Sequence, residues 1–368
     1  MLCTRFAPAA VSAVLFSLPL AAQRTAALAD GFTTEVEVER LPILSQGRTG
    51  TCWSFATVSF LEAELQRLHG EQVDLSEMYG VYWAYVEKAT RYVRLHGHAQ
   101  FSQGGLSHDV IAIARAHGIA PAGAYSGLPE GAEDHNHDAL EAELKKILEP
   151  FAKGRGDFDA MVAAVRGVLD RHLGPVPESF AANGVEVTPL QFATETLKLP
   201  LDEYVELMSF RSAGFDRRAE LLVPDNWMRF DGYWNLRIDE LLANVDHALR
   251  EGFSVALDCD LSERSNGGGT AKLSPEMEAT PITDDLRQQD FDARRTTDDH
   301  LMHIVGIAKG PDGGTWYLVK NSWGDRGPFG GHMMMSRAYL AAKTVGVMLH
   351  RDGLLPETRE RIDAAAPH

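Results

Sequence analysis

Apolar positions along this chain fall into two regimes. From Cys52 to Gly70, the residues Phe55, Val58, Leu61, Leu65 and Leu68 recur at helical spacing, and Gly70 supplies a stop. A second helix is predicted from Ser107, read as its cap, through Val110, Ile111, Ile113 and Ala114 to Gly118. Residues 138–172 read as further helices, with Leu140, Leu144, Ile147 and Leu148 on one face and Met161, Val162, Val165 and Leu169 on the next. Farther on the apolar runs shorten into strand candidates: Val255 to Cys259, His300 to Ile307, Thr315 to Lys320 and His332 to Ser336. Gly310-Pro311-Asp312-Gly313-Gly314 reads as the hairpin turn between two of them. Met333 to Met335 then belong to a packed strand and not to a binding surface. A helical first half followed by a strand-rich second half predicts an α+β fold of two lobes with a site between them. Residues 125–250 read as a mainly helical insertion, and 261–295, polar and Gly-rich at Gly267-Gly268-Gly269, as a loop insertion.

Composition adds exclusions. With 45% hydrophobic and 24% charged residues, the 368-residue chain has the make-up of a globular protein and not of a disordered or fibrous one. A formal net charge of −17 opposes binding to nucleic acid or to anionic lipid. Arg5 followed by an apolar stretch from Ala9 to Leu20 reads as a signal peptide over residues 1–22, or to 29 if cleavage follows Ala27-Leu28-Ala29. Export to the periplasm or the exterior is therefore expected. No later apolar segment has the length of a membrane span, so no stable membrane insertion is expected. Of three cysteines, Cys3 would leave with the signal. Cys52 and Cys259 make no disulfide framework, which leaves a thiol for chemistry.

Cys52 is predicted to start a helix, where the helix dipole and a nearby imidazolium lower the free energy of a thiolate. A lone cysteine is more commonly a small core residue, so its context decides. That context is Gln46-Gly47-Arg48-Thr49-Gly50-Thr51-Cys52-Trp53-Ser54-Phe55. Downstream lie Asp299-His300-Leu301-Met302-His303-Ile304-Val305-Gly306 and Asn321-Ser322-Trp323-Gly324. His303 falls three positions after His300 and thus on the other face of a strand, where it reads as packing. His135 and His137 flank Asn136 without a third ligand in view, so they read as a solvated loop and not as a metal site.

These three motifs, in this order, resemble the papain-like cysteine peptidases, in which a glutamine precedes the cysteine by six positions and Trp follows it. The resemblance implies a two-lobed α+β fold, with a helical lobe carrying the nucleophile helix and a β-rich lobe carrying His and Asn. It makes Cys52 the nucleophile, His300 the base, Asn321 the residue that orients the base and Gln46 the oxyanion-hole side chain. It also has Trp323 shield the His300–Asn321 bond from water. Gln103-Gly104-Gly105 resembles the segment whose backbone pairs with an extended substrate; otherwise it is an ordinary loop before a helix. Leu75-Ser76-Glu77 fits the family pattern as a structural element. No cofactor and no metal are implied, and the partners are peptide substrates.

Within the family the chain is similar to the bleomycin hydrolase and aminopeptidase C branch. Thr49 stands where secreted papain-like enzymes often carry a disulfide cysteine, and little chain separates the predicted signal from Gln46, too little for a long inhibitory propeptide. Thr188-Pro189-Leu190-Gln191-Phe192, the strand from Val255 to Asp260, Thr296 to His300, and Val345 to Leu355 followed by Pro356-Glu357 resemble segments of that branch. The resemblance places a peptidase domain over residues 30–360 and a tail over 356–368. In the branch such a tail enters the cleft, and its terminal carboxylate meets the substrate's amino terminus. The expected function is a cysteine-type aminopeptidase working through a thioester acyl-enzyme. An endopeptidase with an open cleft is the alternative, because the chain stops at Pro367-His368, earlier than the larger members. A catalytically silent peptide-binding protein is a third reading, opposed by the joint presence of Cys52, His300, Asn321 and Gln46. The oligomeric state is left open, a homo-oligomer included.

Overall fold

In the computed structural model, which describes residues 31–129 and 131–365, helix α1 runs Cys52–His69. Phe55, Val58, Leu61 and Leu65 are buried, whereas Leu68 turns outward. Gly70 ends the helix in the left-handed conformation at φ 69°, its N–H returning to the Gln66 carbonyl. Helix α2 spans Glu77–Arg94 and is capped by Ser76, whose hydroxyl accepts from the Tyr79 N–H. Helix α3 spans Ser107–His117, with its cap one residue earlier than expected. Leu106 occupies the cap position and donates its N–H to the Asp109 carboxylate at 3.1 Å, while Ser107 accepts from the Thr57 hydroxyl. Helices α4, Asp138–Ala152, and α5, Phe158–Leu173, bring Leu140, Leu144, Leu148, Met161, Val165 and Leu169 into the same core as α1 and α2.

Ten strands form the other lobe: β1 Thr33–Glu37, β2 Tyr204–Met208, β3 Arg217–Ala219, β4 Tyr233–Asn235, β5 Val255–Cys259, β6 Thr270–Ala271, β7 His300–Lys309, β8 Thr315–Lys320, β9 His332–Ser336 and β10 Thr344–His350. Their order is β3-β4-β2-β10-β5-β7-β8-β9-β6, with β1 added to β7. The β7–β8 hairpin closes through Gly310 N–H to the Gly314 carbonyl, at the predicted turn. Gly306 lets β1 cross close to β7, since a Cβ there would meet the Val36 carbonyl oxygen at 2.5 Å. Met334 and Met335 are fully enclosed, as a packed strand requires.

Helix α6, Ile238–Arg250, packs on one side of the sheet. Residues 261–299 include β6 and helix α7, Asp284–Asp292. From α7 the buried Arg287 donates to the carbonyls of Ser209, Ala341 and Thr344. The last residues, 366–368, whose carboxylate the resemblance sends into the cleft, lie outside the described residues, and the helix before them packs elsewhere. Helix α8, Pro356–Ala364, docks on α6, where Thr358 bonds Asn244 and Glu240, and on the edge of the sheet, where Arg361 pairs with Asp216. Ile362 is buried in the α6 core. None of the described polar contacts of α8 reaches the seam between the lobes.

That seam is where the site lies. The first residue of α1, the first residue of β7 and the residue following β8 are Cys52, His300 and Asn321.

Candidate active site

His300 and Asn321 are brought together by the β7–β8 pairing. Their ring Nε2 and side-chain Oδ1 lie 2.8 Å apart, and both residues are buried. An amide oxygen only accepts, so Nε2 carries the proton and Nδ1 is left with a lone pair. Asn321 Oδ1 also accepts the Ser322 backbone N–H at 2.8 Å, which fixes the amide's orientation. Trp323 stacks on His300 with ring centroids 4.8 Å apart and an interplanar angle of 27°, while 55% of the indole remains exposed. The indole thus roofs the imidazole.

Cys52 opens α1, where the first N–H groups of a helix have no partner within it. The backbone of Leu301, the neighbour of His300, faces the sulfur and favours its anion. The thiol is nevertheless held in its protonated form: burial pushes it up to about 12, with Asp298, Asp258 and Asp225 adding to the effect. Burial also lowers His300, and the bond to Asn321 only partly offsets this. The sequence expectation of a thiolate favoured by the helix end is therefore outweighed by desolvation while the imidazole is neutral. An anionic sulfur at this place requires the proton to move to Nδ1, which leaves an imidazolium beside it.

Gln46 is buried and clamped at both ends of its amide. Ser322 Oγ donates to Oε1 at 2.5 Å, and Nε2 donates to the Thr49 carbonyl at 2.6 Å. An amide nitrogen has two protons, so a second donor remains. The backbone ties the same segments together through Gln46 N–H to Ser322 O at 2.9 Å and Gly324 N–H to Leu44 O at 3.1 Å. Gly104 is half-buried, and Gly105 is enclosed: a Cβ on Gly105 would come 2.5 Å from Asp109 Oδ2 and 3.0 Å from the Trp53 ring. Next to them, Gln103 accepts the Gly50 N–H at 2.7 Å and the Trp53 indole N–H at 2.9 Å.

His303 sits beneath α1 and not in the cleft. Lys320 Nζ donates to Ser59 Oγ at 2.7 Å, and Ser59 in turn donates to His303 Nδ1 at 3.0 Å. Burial and the Lys320 charge hold this imidazole well below its usual range. Cys259 is enclosed in the sheet core, opposite His300 on the β5–β7 ladder, and its thiol is unpaired. His135 and His137 correct the expectation of a solvated loop, for His137 is buried against Tyr85 and the His135 carbonyl accepts the Arg48 N–H at 2.8 Å. A Cβ on Gly47, at φ 63°, would meet that carbonyl at 2.5 Å, so this segment braces the loop that carries Gln46. Among the described residues, no three His, Cys, Asp or Glu side chains converge to hold a metal.

The model of the Peptidase C1-like family matches residues 7–154 and 180–367, and the chain belongs to that family. It is a cysteine peptidase of papain-like α+β fold, acting on peptides. The chain is 22% identical to an aminopeptidase C of Listeria innocua over 89% of its length and 84% of the relative's. It is 21% identical to an aminopeptidase G of Lactobacillus delbrueckii subsp. lactis over 90% and 86%. The crystal structure of PepW from Lactobacillus rhamnosis superposes with a TM-score of 0.72 at 19% identity, covering 90% of this chain and 85% of that one. That similarity is one of fold.

Sequence reasoning passed over several groups around the cleft. Lys88 of α2 is buried, and its ammonium donates to the carbonyls of Ser102 and Gly104, so it props the glycine segment. The signal was present, because Lys88 shares a helix face with the apolar Ala84 and Tyr85. Ser322, within a quoted motif, was not assigned its hold on Gln46. Asp225, Asp258 and Asp298 also went unassigned, since nothing in their local sequence shows that they meet.

Proposed function

We propose that this enzyme is a cysteine aminopeptidase in which Cys52 is the nucleophile, His300 the general base, Asn321 its positioning residue and Gln46 an oxyanion donor. The observation that carries the reading is the His300 Nε2–Asn321 Oδ1 bond at 2.8 Å, which leaves Nδ1 as the atom able to take the Cys52 proton. The thiolate sulfur then attacks the scissile carbonyl carbon, and the carbonyl π electrons move to oxygen. The second Gln46 Nε2 proton and the Cys52 backbone N–H stabilise the resulting oxyanion. When the C–N bond breaks, the imidazolium gives its proton to the departing amine. His300 next takes a proton from water, hydroxide adds to the thioester, and the thiolate leaves with the new carboxylic acid. The curated relatives named aminopeptidase C and aminopeptidase G favour removal of single amino-terminal residues. Arg5 and the apolar run from Ala9 to Leu20 support export by a signal peptide; they lie outside the described residues, and the amino terminus of the mature protein, read by mass spectrometry, tests them.

The test of function pairs wild type with Cys52→Ala on aminoacyl amides, free and acetylated. Wild type should cleave the free substrate at least a hundredfold faster than the acetylated one and be inactivated by iodoacetamide. Cys52→Ala should be silent while folding normally. Turnover by Cys52→Ala would overturn the nucleophile assignment, and equal cleavage of both substrates would overturn the aminopeptidase reading.

A further inference from the structure

Beside Cys52 the cleft carries three carboxylates that acyl transfer does not use. Asp258 lies on β5 directly across the ladder from Leu301, the residue after His300. It is 4% exposed, no donor from another group reaches its oxygens, and its carboxyl pairs with that of Asp298. Asp298 comes two residues before His300, and its Oδ2 is likewise buried and unpartnered. Asp225 arrives from the loop joining β3 to β4, and its Oδ2 lies 1.9 Å from where a Gly104 Cβ would be. Its Oδ1 accepts from Gln100. Asp225 and Asp298 are half-buried as residues, whereas Asp258 is buried.

Buried acceptors without donors are costly, and clustered like charges add to that cost. Burial raises the proton affinity of all three, Asp298 to about 7; Asp298 and Asp225 add to this at Asp258, Asp225 adds at Asp298, and Asp109 adds at Asp225. Lys88 is the cation whose field reaches Asp225, and two of its three N–H donors go to the Ser102 and Gly104 carbonyls. No three of the described ligand-type side chains converge for a metal. What the cluster lacks is a small cation with several N–H donors. Peptide chemistry supplies one at this place: in a substrate's first residue the α-nitrogen is separated from the carbonyl carbon by Cα alone, about 2.5 Å away. An ammonium group attached to a carbonyl seated at Cys52 must therefore lie near Cys52.

We propose that Asp225 and Asp298, backed by Asp258, bind the free α-ammonium group of the substrate's first residue and so set the enzyme's amino-terminal specificity. The inference rests on the aminopeptidase reading and names the residues that enforce it. It assigns to cleft side chains the anchoring that α8, docked on α6, does not reach. A bound ammonium also offsets the field that opposes a thiolate at Cys52, so recognition and activation of the nucleophile become linked.

The experiment compares leucyl and N-acetyl-leucyl amides, together with an N-acetyl-lysyl-leucyl amide, on wild type, Asp225→Asn and Asp298→Asn. Circular dichroism checks the fold, and Asp225→Ser replaces any variant that fails to fold. Each variant should lower the free-to-acetylated ratio of kcat/KM at least tenfold, chiefly through a higher KM for the free substrate. Wild type that favours the free amide, with both variants keeping its ratio within twofold, would overturn the anchor alone and leave the aminopeptidase reading intact. Wild type indifferent to acetylation would overturn both. Faster cleavage of the lysyl substrate than of the free amide would show that the carboxylates read a basic side chain, which also overturns the proposal.

Discussion

Ser322 Oγ donates to Gln46 Oε1 at 2.5 Å, joining the residue after Asn321 to the oxyanion side chain across 276 positions of sequence. The bond holds the Gln46 amide in the rotation that keeps a proton free for the cleft. Ser322→Ala should lower kcat by about tenfold with little change in KM, and Gln46→Ala by about a hundredfold, as expected for a misaligned and a lost oxyanion donor. Steady-state kinetics on one substrate decides it; a larger loss for the serine variant would contradict the order.

Because burial holds the Cys52 thiol up at about 12, its reactivity at neutral pH depends on the imidazole as proton acceptor. In His300→Ala the thiol stays protonated through pH 7, and its alkylation by iodoacetamide should slow at least tenfold. The sign follows from the raised value: the variant's rate should climb about tenfold per pH unit toward that value, because only the thiolate reacts. Labelling followed by mass spectrometry between pH 6 and 10 checks both the rate and the site, and a variant that alkylates as fast as wild type would refute the dependence.

The two histidines of β7 should separate cleanly. His300→Ala removes the base, whereas His303→Ala breaks only the bond to Ser59 beneath α1. The second variant should keep most of its kcat and lose about 1–2 kcal/mol of stability. Parallel melting curves and activity measurements distinguish the outcomes.

Lys320 is the buried cation between Glu62 and Glu77, which burial raises to about 7 and about 8, with Asp74 also facing it. Lys320→Met should cost about 3 kcal/mol above pH 8, where the wild-type acids are ionised and the variant's have no cation beside them. A carboxyl with a folded value above its unfolded one loses stability as pH rises, and loss of the cation raises both folded values further, so the deficit should be small near pH 6 and widen from about pH 7 to pH 9. Urea melts across that range read the slope; a deficit that narrows would reverse the assignment.

Truncation after Leu355 removes α8, including the buried Ile362 and the Arg361 pair with Asp216. It should destabilise the fold by about 2 kcal/mol from the isoleucine alone and leave the free-to-acetylated ratio unchanged. A shift in that ratio would place the tail's influence in the cleft after all.

The sequence by itself determined part of the elements and the candidate reacting groups; it left α2 unread, and β2, β3 and β4 stand in a span that reads as mainly helical. Helical spacing fixed α1 with Cys52 at its start, short apolar runs fixed β5, β7, β8 and β9, and the motifs around Gln46, His300 and Asn321 pointed to thiol chemistry. Each of these is a local signal, carried by periodicity or by adjacent residues. What only the tertiary structure decided involves residues far apart in sequence. Asp258 faces Leu301 because β5 pairs with β7, and Asp225 reaches Gly104 because the loop after β3 folds over the glycine segment, and no local pattern encodes either contact. His137 reads as polar and solvated until the loop carrying Gln46 covers it, and α8 reads as a tail until Ile362 finds the core on α6. Burial settled the state of the Cys52 thiol against the helix end, because desolvation depends on everything packed around an atom and not on its neighbours in the chain.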